Sequence, residues 1–416
     1  MKKVLAVVAA LALTLISSVA MAEVNVSGSI DIRNLSTQNT TDWNSKNSDE
    51  NRTTQERIRV NIDAKNDNVK GRVTFENDWD VWGRVEAPQA NGATTTNAGG
   101  GRLEIREGWI DFTIPGAGPA HVKVGHQFLQ LGNGWFFRSM KYGSDAWVVG
   151  YPGTNTVAFV DVKVAENLAA ASDDVDAFVL LDNYKLNDKS TVGAYLVYLR
   201  DPQGKFTGSG DESNLDNIGL WFNGVLGPVN LQAEVDVQMG TVKFADGSAD
   251  RKFKGNQIVL EANMTPAEGL KVEATVGTGT GQDTSNDYTI MKTALDADPH
   301  YTFVYEYFMK TAAGAKNTGF ANTLAVGVGA SYEINKMVGV DLKGWMLQAN
   351  EDVALNGGTP DSDLGTEIDA RLRLKLYEQL SWSFTYGHFM PGKAYEDGSG
   401  VADNVDAIQG VLSYKF

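Results

Sequence analysis

Counting back by twos from the C-terminus, Phe416, Tyr414, Leu412, Gly410 and Ile408 fall on one side of an extended chain. Lys415, Ser413, Val411 and Gln409 fall on the other, so one face is apolar and the opposite face mostly polar. A β-strand turns successive side chains to opposite faces. Chain termini usually fray, and a chain that stays patterned to a final aromatic needs a reason. The strand that closes a transmembrane barrel supplies one: lipid on one side, a wet lumen on the other, and an aromatic ring at the interface.

The same alternation runs through the chain. Val24, Val26, Gly28, Ile30 and Ile32 oppose Asn25, Ser27, Ser29, Asp31 and Arg33. Val229, Leu231, Ala233, Val235, Val237 and Met239 oppose Asn230, Gln232, Glu234, Asp236 and Gln238. Ile368, Ala370, Leu372, Leu374 and Leu376 oppose Glu367, Asp369, Arg371, Arg373 and Lys375. A helix would space its apolar residues by three and four, and these segments do not. They reach the roughly nine to eleven residues of a tilted membrane strand, longer than the five or six usual in soluble sheets.

The connections alternate between tight turns, such as Asn66 to Asn68 and Gly227-Pro228, and long polar stretches, such as Asn34 to Gln55 and Thr280 to Asn322. Outer-membrane barrels have short periplasmic turns and long outer loops. The sequence therefore predicts an all-β fold, a closed antiparallel transmembrane β-barrel over residues 23–416. Both ends on one side require an even count, and the pattern gives about 18 strands, with 16 and 20 its even neighbours. A short helix is expected near Tyr288 to Asp296, and His300 to Met309 is apolar enough to form a strand.

Met1 to Ala22 has the form of a secretory signal peptide: Lys2 and Lys3, an apolar run from Val4 to Ile16, and Ala20-Met21-Ala22 as the cleavage site. Removing it takes the formal charge from −16 to −18, which argues against a nucleic-acid partner. There is no cysteine, hence no disulfide framework and no thiolate metal site. No later apolar run approaches the roughly 20 residues of a membrane helix.

No catalytic constellation is recognisable: there is no G-x-S-x-G, H-E-x-x-H or phosphate loop, and no cofactor or metal is implied. His121 and His126, five apart on one strand, should point to opposite faces. The best enzyme alternative pairs an aspartate with His388 at the outer rim. A further alternative is a sleeve or export channel for a partner chain or a polysaccharide. More informative are the inward charges expected to line a pore. Arg33, Arg57, Arg59, Lys70 and Arg72 belong to the first three strands, and Arg371, Arg373 and Lys375 to a strand near the C-terminus. If the last strand pairs with the first, these form one basic wall, with Glu234 and Asp236 facing it. Such opposed charges order solutes in a wet pore. The same charges can also neutralise one another along their strands, Arg57 or Arg59 with Asp63, and Arg371 with Glu367 or Asp369. Two segments could fold inward and narrow the bore: Thr280 to Asn322, and Gln130 to Lys141 with Trp135, Phe136, Phe137 and Arg138.

The signal peptide, the repeated amphipathic strands and the terminal Tyr414-Lys415-Phe416 together resemble the Gram-negative outer-membrane porins. Val122-Lys123-Val124-Gly125-His126-Gln127, followed by Leu131-Gly132-Asn133-Gly134, resembles a "VGRQ…LG.G" stretch of alginate-export-like barrels, with His126 where arginine is usual. The resemblance implies an outer membrane of a Gram-negative bacterium and lipid around the barrel. It also implies passive diffusion of small hydrophilic solutes, in some members as a homotrimer.

Overall fold

The computed structural model of the protein describes residues 23–47, 49–82, 103–166, 173–204, 212–296 and 300–416. The expected signal peptide lies outside them. Eighteen long strands follow one another: β1 (Glu23–Gln38), β2 (Asn51–Lys65), β3 (Val69–Val81), β4 (Glu104–Thr113), β5 (His121–Gln127), β6 (Ser144–Tyr151), β7 (Asn155–Ala165), β8 (Val175–Asn187), β9 (Ser190–Asp201), β10 (Ser213–Leu226), β11 (Val229–Val242), β12 (Asn256–Ala267), β13 (Leu270–Gly279), β14 (Thr323–Glu333), β15 (Val338–Val353), β16 (Asp361–Lys375), β17 (Leu380–Pro391) and β18 (Val405–Lys415).

Each strand pairs antiparallel with its chain neighbours, and β18 returns to β1 with Tyr414 opposite Ile30 and Leu412 opposite Ile32. Reciprocal backbone bonds between Gly28 and Phe416, at 2.9 and 3.1 Å, complete the seam. Closure leaves no strand edge, which is what a sheet needs inside a bilayer.

The alternation read from the sequence sorts the wall. On β11, Val235, Val237 and Met239 are 38%, 46% and 44% exposed, while Glu234 and Asp236 between them are 0%. An apolar outside this extensive is a surface for lipid. Phe159, Phe178 and Tyr198 stack in an outward row with ring centroids 6.4 Å apart, as an interfacial girdle does. The tight turns have local causes. Asn66 Oδ1 accepts from the Val69 N–H at 3.0 Å and Asn335 Oδ1 from the Met337 N–H at 2.8 Å, side chains standing in for turn backbone.

The interior departs from the expected uniformly polar bore. Inward positions on β6 to β9 include Ala146, Val160, Val162, Ala177, Val179 and Val197, and Leu131 and Phe136 from the 128–143 connection cover them. The 280–322 connection also folds inward. It carries a single helical turn, α1 (Tyr305–Phe308), packed on Trp345, Leu347, Phe389 and Tyr395. The helix expected at Tyr288 to Asp296 is absent from the described residues there. Ala294–Leu295 is instead extended and pairs in parallel with Phe137–Arg138 of the other inward segment. His300 to Met309 is not a strand either. Tyr301, Val304, Tyr305, Phe308 and Met309 are all buried, so the run is covered on every side and has no lipid and water faces to alternate between.

Candidate functional site

The 128–143 segment covers the inner face next to β6–β11, and the 300–322 segment packs on β14–β18. Against β13–β18 and β1–β3 they leave a cavity of about 1080 Å³. Arg33, Arg57 and Arg59 line it from β1 and β2, and Arg371, Arg373 and Lys375 line it from β16. The seam between β18 and β1 makes the two groups neighbours on one wall, with Ser381, Ser383, Thr385, Gln409 and Ser413 between them. Trp79 forms a shelf under the basic groups, with the guanidinium carbons of Arg33 and Arg57 3.9 and 4.3 Å from its ring centroid. Cations gain from such a ring face.

Three of these six charges are neutralised across strands rather than along them. Arg57 pairs with Asp31 at 3.2 Å, Arg59 pairs with Glu76, and Arg373 pairs with Asp341 at 2.9 Å and Glu333 at 2.6 Å. The same-strand partners expected for Arg57 and Arg59 are replaced by cross-strand ones. Asp31 stands directly opposite Arg57 and Glu76 opposite Arg59 in the ladders, whereas Asp63 lies further along the strand and takes Arg72 at 2.7 Å. Arg371 lines the cavity with no hydrogen-bonded or ion-paired partner among the described residues.

Lys70 and Arg72 point inward but do not line this cavity. Arg72 is held by Asp63 and, at 3.6 Å, by Glu107. Lys70 is exposed beside the 66–68 turn, opposite Lys65 and Asp111.

Glu234 and Asp236 do not form an open acidic wall. The Glu234 carboxylate accepts the N–H groups of Asn133, Trp135 and Phe136 at 2.5, 3.1 and 3.2 Å. Asp236 accepts from the Tyr195 hydroxyl at 2.5 Å and from the Asn217 and Gln257 amides, both at 2.8 Å. Their role in this geometry is to hold the 131–136 turn against the wall. Gly132 permits that approach: its φ is +54°, and a Cβ there would stand 2.7 Å from Glu234 Oε2. The Leu131-Gly132-Asn133-Gly134 stretch is thus the anchoring turn of an inward loop.

A second anchor matches it. The fully buried Glu367 accepts the N–H groups of Phe303, Val304 and Tyr305 at 2.8, 2.6 and 2.8 Å, fixing the start of α1. Three converging N–H groups satisfy a buried carboxylate that would otherwise be costly. This role was not read from the sequence. Its signal was present: a Glu-x-Asp on an inward face occurs as Glu234-Val235-Asp236 and again as Glu367-Ile368-Asp369.

Within the second segment, buried Glu306 accepts from His300 Nδ1 at 2.8 Å and from the Gly319 N–H at 2.7 Å. Burial raises the Glu306 carboxyl above its ordinary range, and these bonds oppose the shift. The other histidines do not converge with it. His121 pairs with Asp111 at 3.2 Å, His126 with Asp145 at 2.8 Å, and His388 with Asp406 at 2.8 Å. The His388–Asp406 pair shares the outward phase of Ile408 and Tyr386, which are 53% and 44% exposed, so it faces away from the bore. Among the described residues no group of three or more metal-ligating side chains is arranged to hold an ion.

With this geometry in hand, the model of the alginate export family matches residues 25–407. The chain belongs to that family. A search of curated proteins finds no match. Among solved structures the barrel is similar to OccK8 (OprE) of Pseudomonas aeruginosa, with a TM-score of 0.57 and 11% identity over 95% of this chain and 98% of that one. It is also similar to the outer membrane channel DcaP of Acinetobacter baumannii, with a TM-score of 0.51 and 13% identity over 96% and 99%. The anion-selective porin from Comamonas acidovorans gives a TM-score of 0.50 and 9% identity over 95% and 100%. At these identities the likeness is one of fold: a closed antiparallel barrel of the porin architecture. With the apolar belt, the family places this barrel in the outer membrane.

Proposed function

We propose that this barrel is a passive outer-membrane channel for small hydrophilic, charged solutes, without catalytic chemistry of its own. The observation that carries the reading is the half-open bore. Two anchored loops pack part of the bore, and the space they leave is the 1080 Å³ cavity walled by Arg33, Arg57, Arg59, Arg371, Arg373 and Lys375. Pore width and lumenal charge are the means by which such a channel selects, and this wall favours anions. In planar bilayers the channel should conduct KCl, and Arg57→Glu with Arg59→Glu should move the reversal potential in a salt gradient toward cation preference. An unchanged reversal potential would remove these residues from the selective region.

The family match favours a second reading, passage of an anionic polysaccharide through the same bore. An oligouronate that blocks the KCl current when added from the periplasmic side would support it. As a homotrimer, copies would meet at β5 and β6. These strands have 7 and 8 residues, short of the roughly nine to eleven that span a bilayer alone.

A further inference from the structure

His300, Tyr301 and Lys343 line the main cavity and also a side chamber of about 260 Å³ beneath the 133–138 turn. Those three side chains therefore stand between the chamber and the bore. One part of its wall is aromatic: Trp135, Tyr301 and Trp345. Their rings meet edge to face, Tyr301 lying 5.4 Å from Trp345 and 6.4 Å from Trp135.

The rest of the wall is charged, and the charges are not alike. Lys343 is paired with Glu273, and His300 with Glu306. Arg138 makes no side-chain hydrogen bond or ion pair among the described residues, and its Nε is buried without a partner. Glu261 has the Trp135 indole N–H, at 3.3 Å, as its hydrogen-bond partner. Arg138 and Glu261 thus share one small chamber without forming an ion pair with each other. Arg138 and Lys343 attract the Glu261 carboxylate through the chamber without touching it, so the guanidinium keeps N–H donors open to a carboxylate and Glu261, held by one indole N–H, keeps acceptor positions open to a cationic donor. A ligand that carries both, next to a ring, meets all three demands.

We propose that this chamber is a binding subsite for a small aromatic zwitterion, an α-amino acid with a single ring. Its carboxylate lies on Arg138, its ammonium on Glu261, and its ring against Trp345, Tyr301 and Trp135. The proposal rests on the channel reading only for access from the bore.

The test is calorimetric titration of the detergent-solubilised barrel with L-phenylalanine, 3-phenylpropionate, which lacks the ammonium, and phenethylamine, which lacks the carboxylate. L-phenylalanine should bind roughly tenfold or more tightly than either. Arg138→Gln should erase its advantage over phenethylamine while keeping part of that over phenylpropionate, and Glu261→Gln should do the reverse. Arg138→Lys, which keeps the charge in case the glutamine variant does not fold, should retain the preference over phenethylamine. Equal binding of all three probes, binding of none, or a preference untouched by both glutamine variants would overturn the subsite. KCl conductance of the same preparation reports separately on the channel: a conducting barrel that ignores L-phenylalanine loses the subsite alone.

Discussion

Glu234 on β11 and Glu367 on β16 hold the two inward segments by the same device, each carboxylate accepting three successive or near-successive backbone N–H groups. Both are 0% exposed, and each has an aspartate two residues further along the same face, Asp236 and Asp369. The loops that narrow the bore are therefore fastened to the barrel wall through their own backbone N–H groups.

Removing an anchor should free a loop. Glu367→Ala strands three buried N–H groups, at about 1–3 kcal/mol for each left unsatisfied. The expected outcome is a lower thermal midpoint, together with larger and noisier single-channel conductance as the 300–322 segment leaves the wall. Glu367→Gln keeps one carbonyl acceptor and should fall between. Glu234→Ala should loosen the 131–136 turn in the same way. Wild-type conductance in both alanine variants would show that the anchors do not set the bore.

Gly125, in the stretch that resembles the family motif, tests how tightly the wall is drawn. Its φ is +123°, and a Cβ there would lie 2.2 Å from the Gly108 carbonyl oxygen and 2.9 Å from Trp109 Cα. Both are backbone atoms of the paired strand β4, so no side chain can move aside. Gly125→Ala should cost on the order of 1–3 kcal/mol, read as a lower urea midpoint of the folded band in unboiled gels. Gly344→Ala, where an added Cβ meets nothing within 4 Å, should be close to neutral. Equal midpoints for the two variants would contradict the strained approach at Gly125.

The barrel was legible because its physics is written at period two. Outward residues meet lipid and inward residues are mostly polar along β1, β11, β16 and β18, and the seam at Phe416 follows from that pattern. The packed half of the bore was harder to see. On β8 and β9 both faces are apolar, as in Ala177-Phe178-Val179-Leu180 and Tyr195-Leu196-Val197-Tyr198-Leu199. Such a run marks a strand covered on both sides, which a water-filled lumen would not provide. The covering segments themselves have no periodicity. Their shape is set by distant groups, Glu234 some hundred residues from Asn133 and Glu367 more than sixty from Phe303, so local pattern could name Gln130 to Lys141 and Thr280 to Asn322 as inward candidates but not their structure. The basic wall was visible in its residues. Its neutralisation was not, because partners such as Asp31 for Arg57 depend on strand register.

Glu306 gives the inward segment a dependence on pH whose sign can be worked out. Its carboxyl is 0% exposed, and burial raises its pKa above the ordinary 4.5 while His300 and the backbone N–H groups of Gly319 and Thr318 oppose the shift. Tyr301 and Tyr305, packed beside it, stay protonated because burial pushes both hydroxyls up. An acid whose folded pKa lies above its unfolded value holds its proton more tightly in the folded state. Its stabilising contribution is complete below the unfolded value and is lost as the pH rises through the folded one. Relative to Glu306→Gln, which cannot titrate, the wild-type segment should lose stability over the interval from the carboxyl's ordinary 4.5 upward through its raised folded pKa. Limited proteolysis within residues 300–322 reads this directly: the wild-type cleavage rate should rise over that interval while the glutamine variant stays nearly level. Parallel pH profiles for the two proteins would mean that Glu306 keeps one protonation state throughout and that the segment's packing does not depend on it.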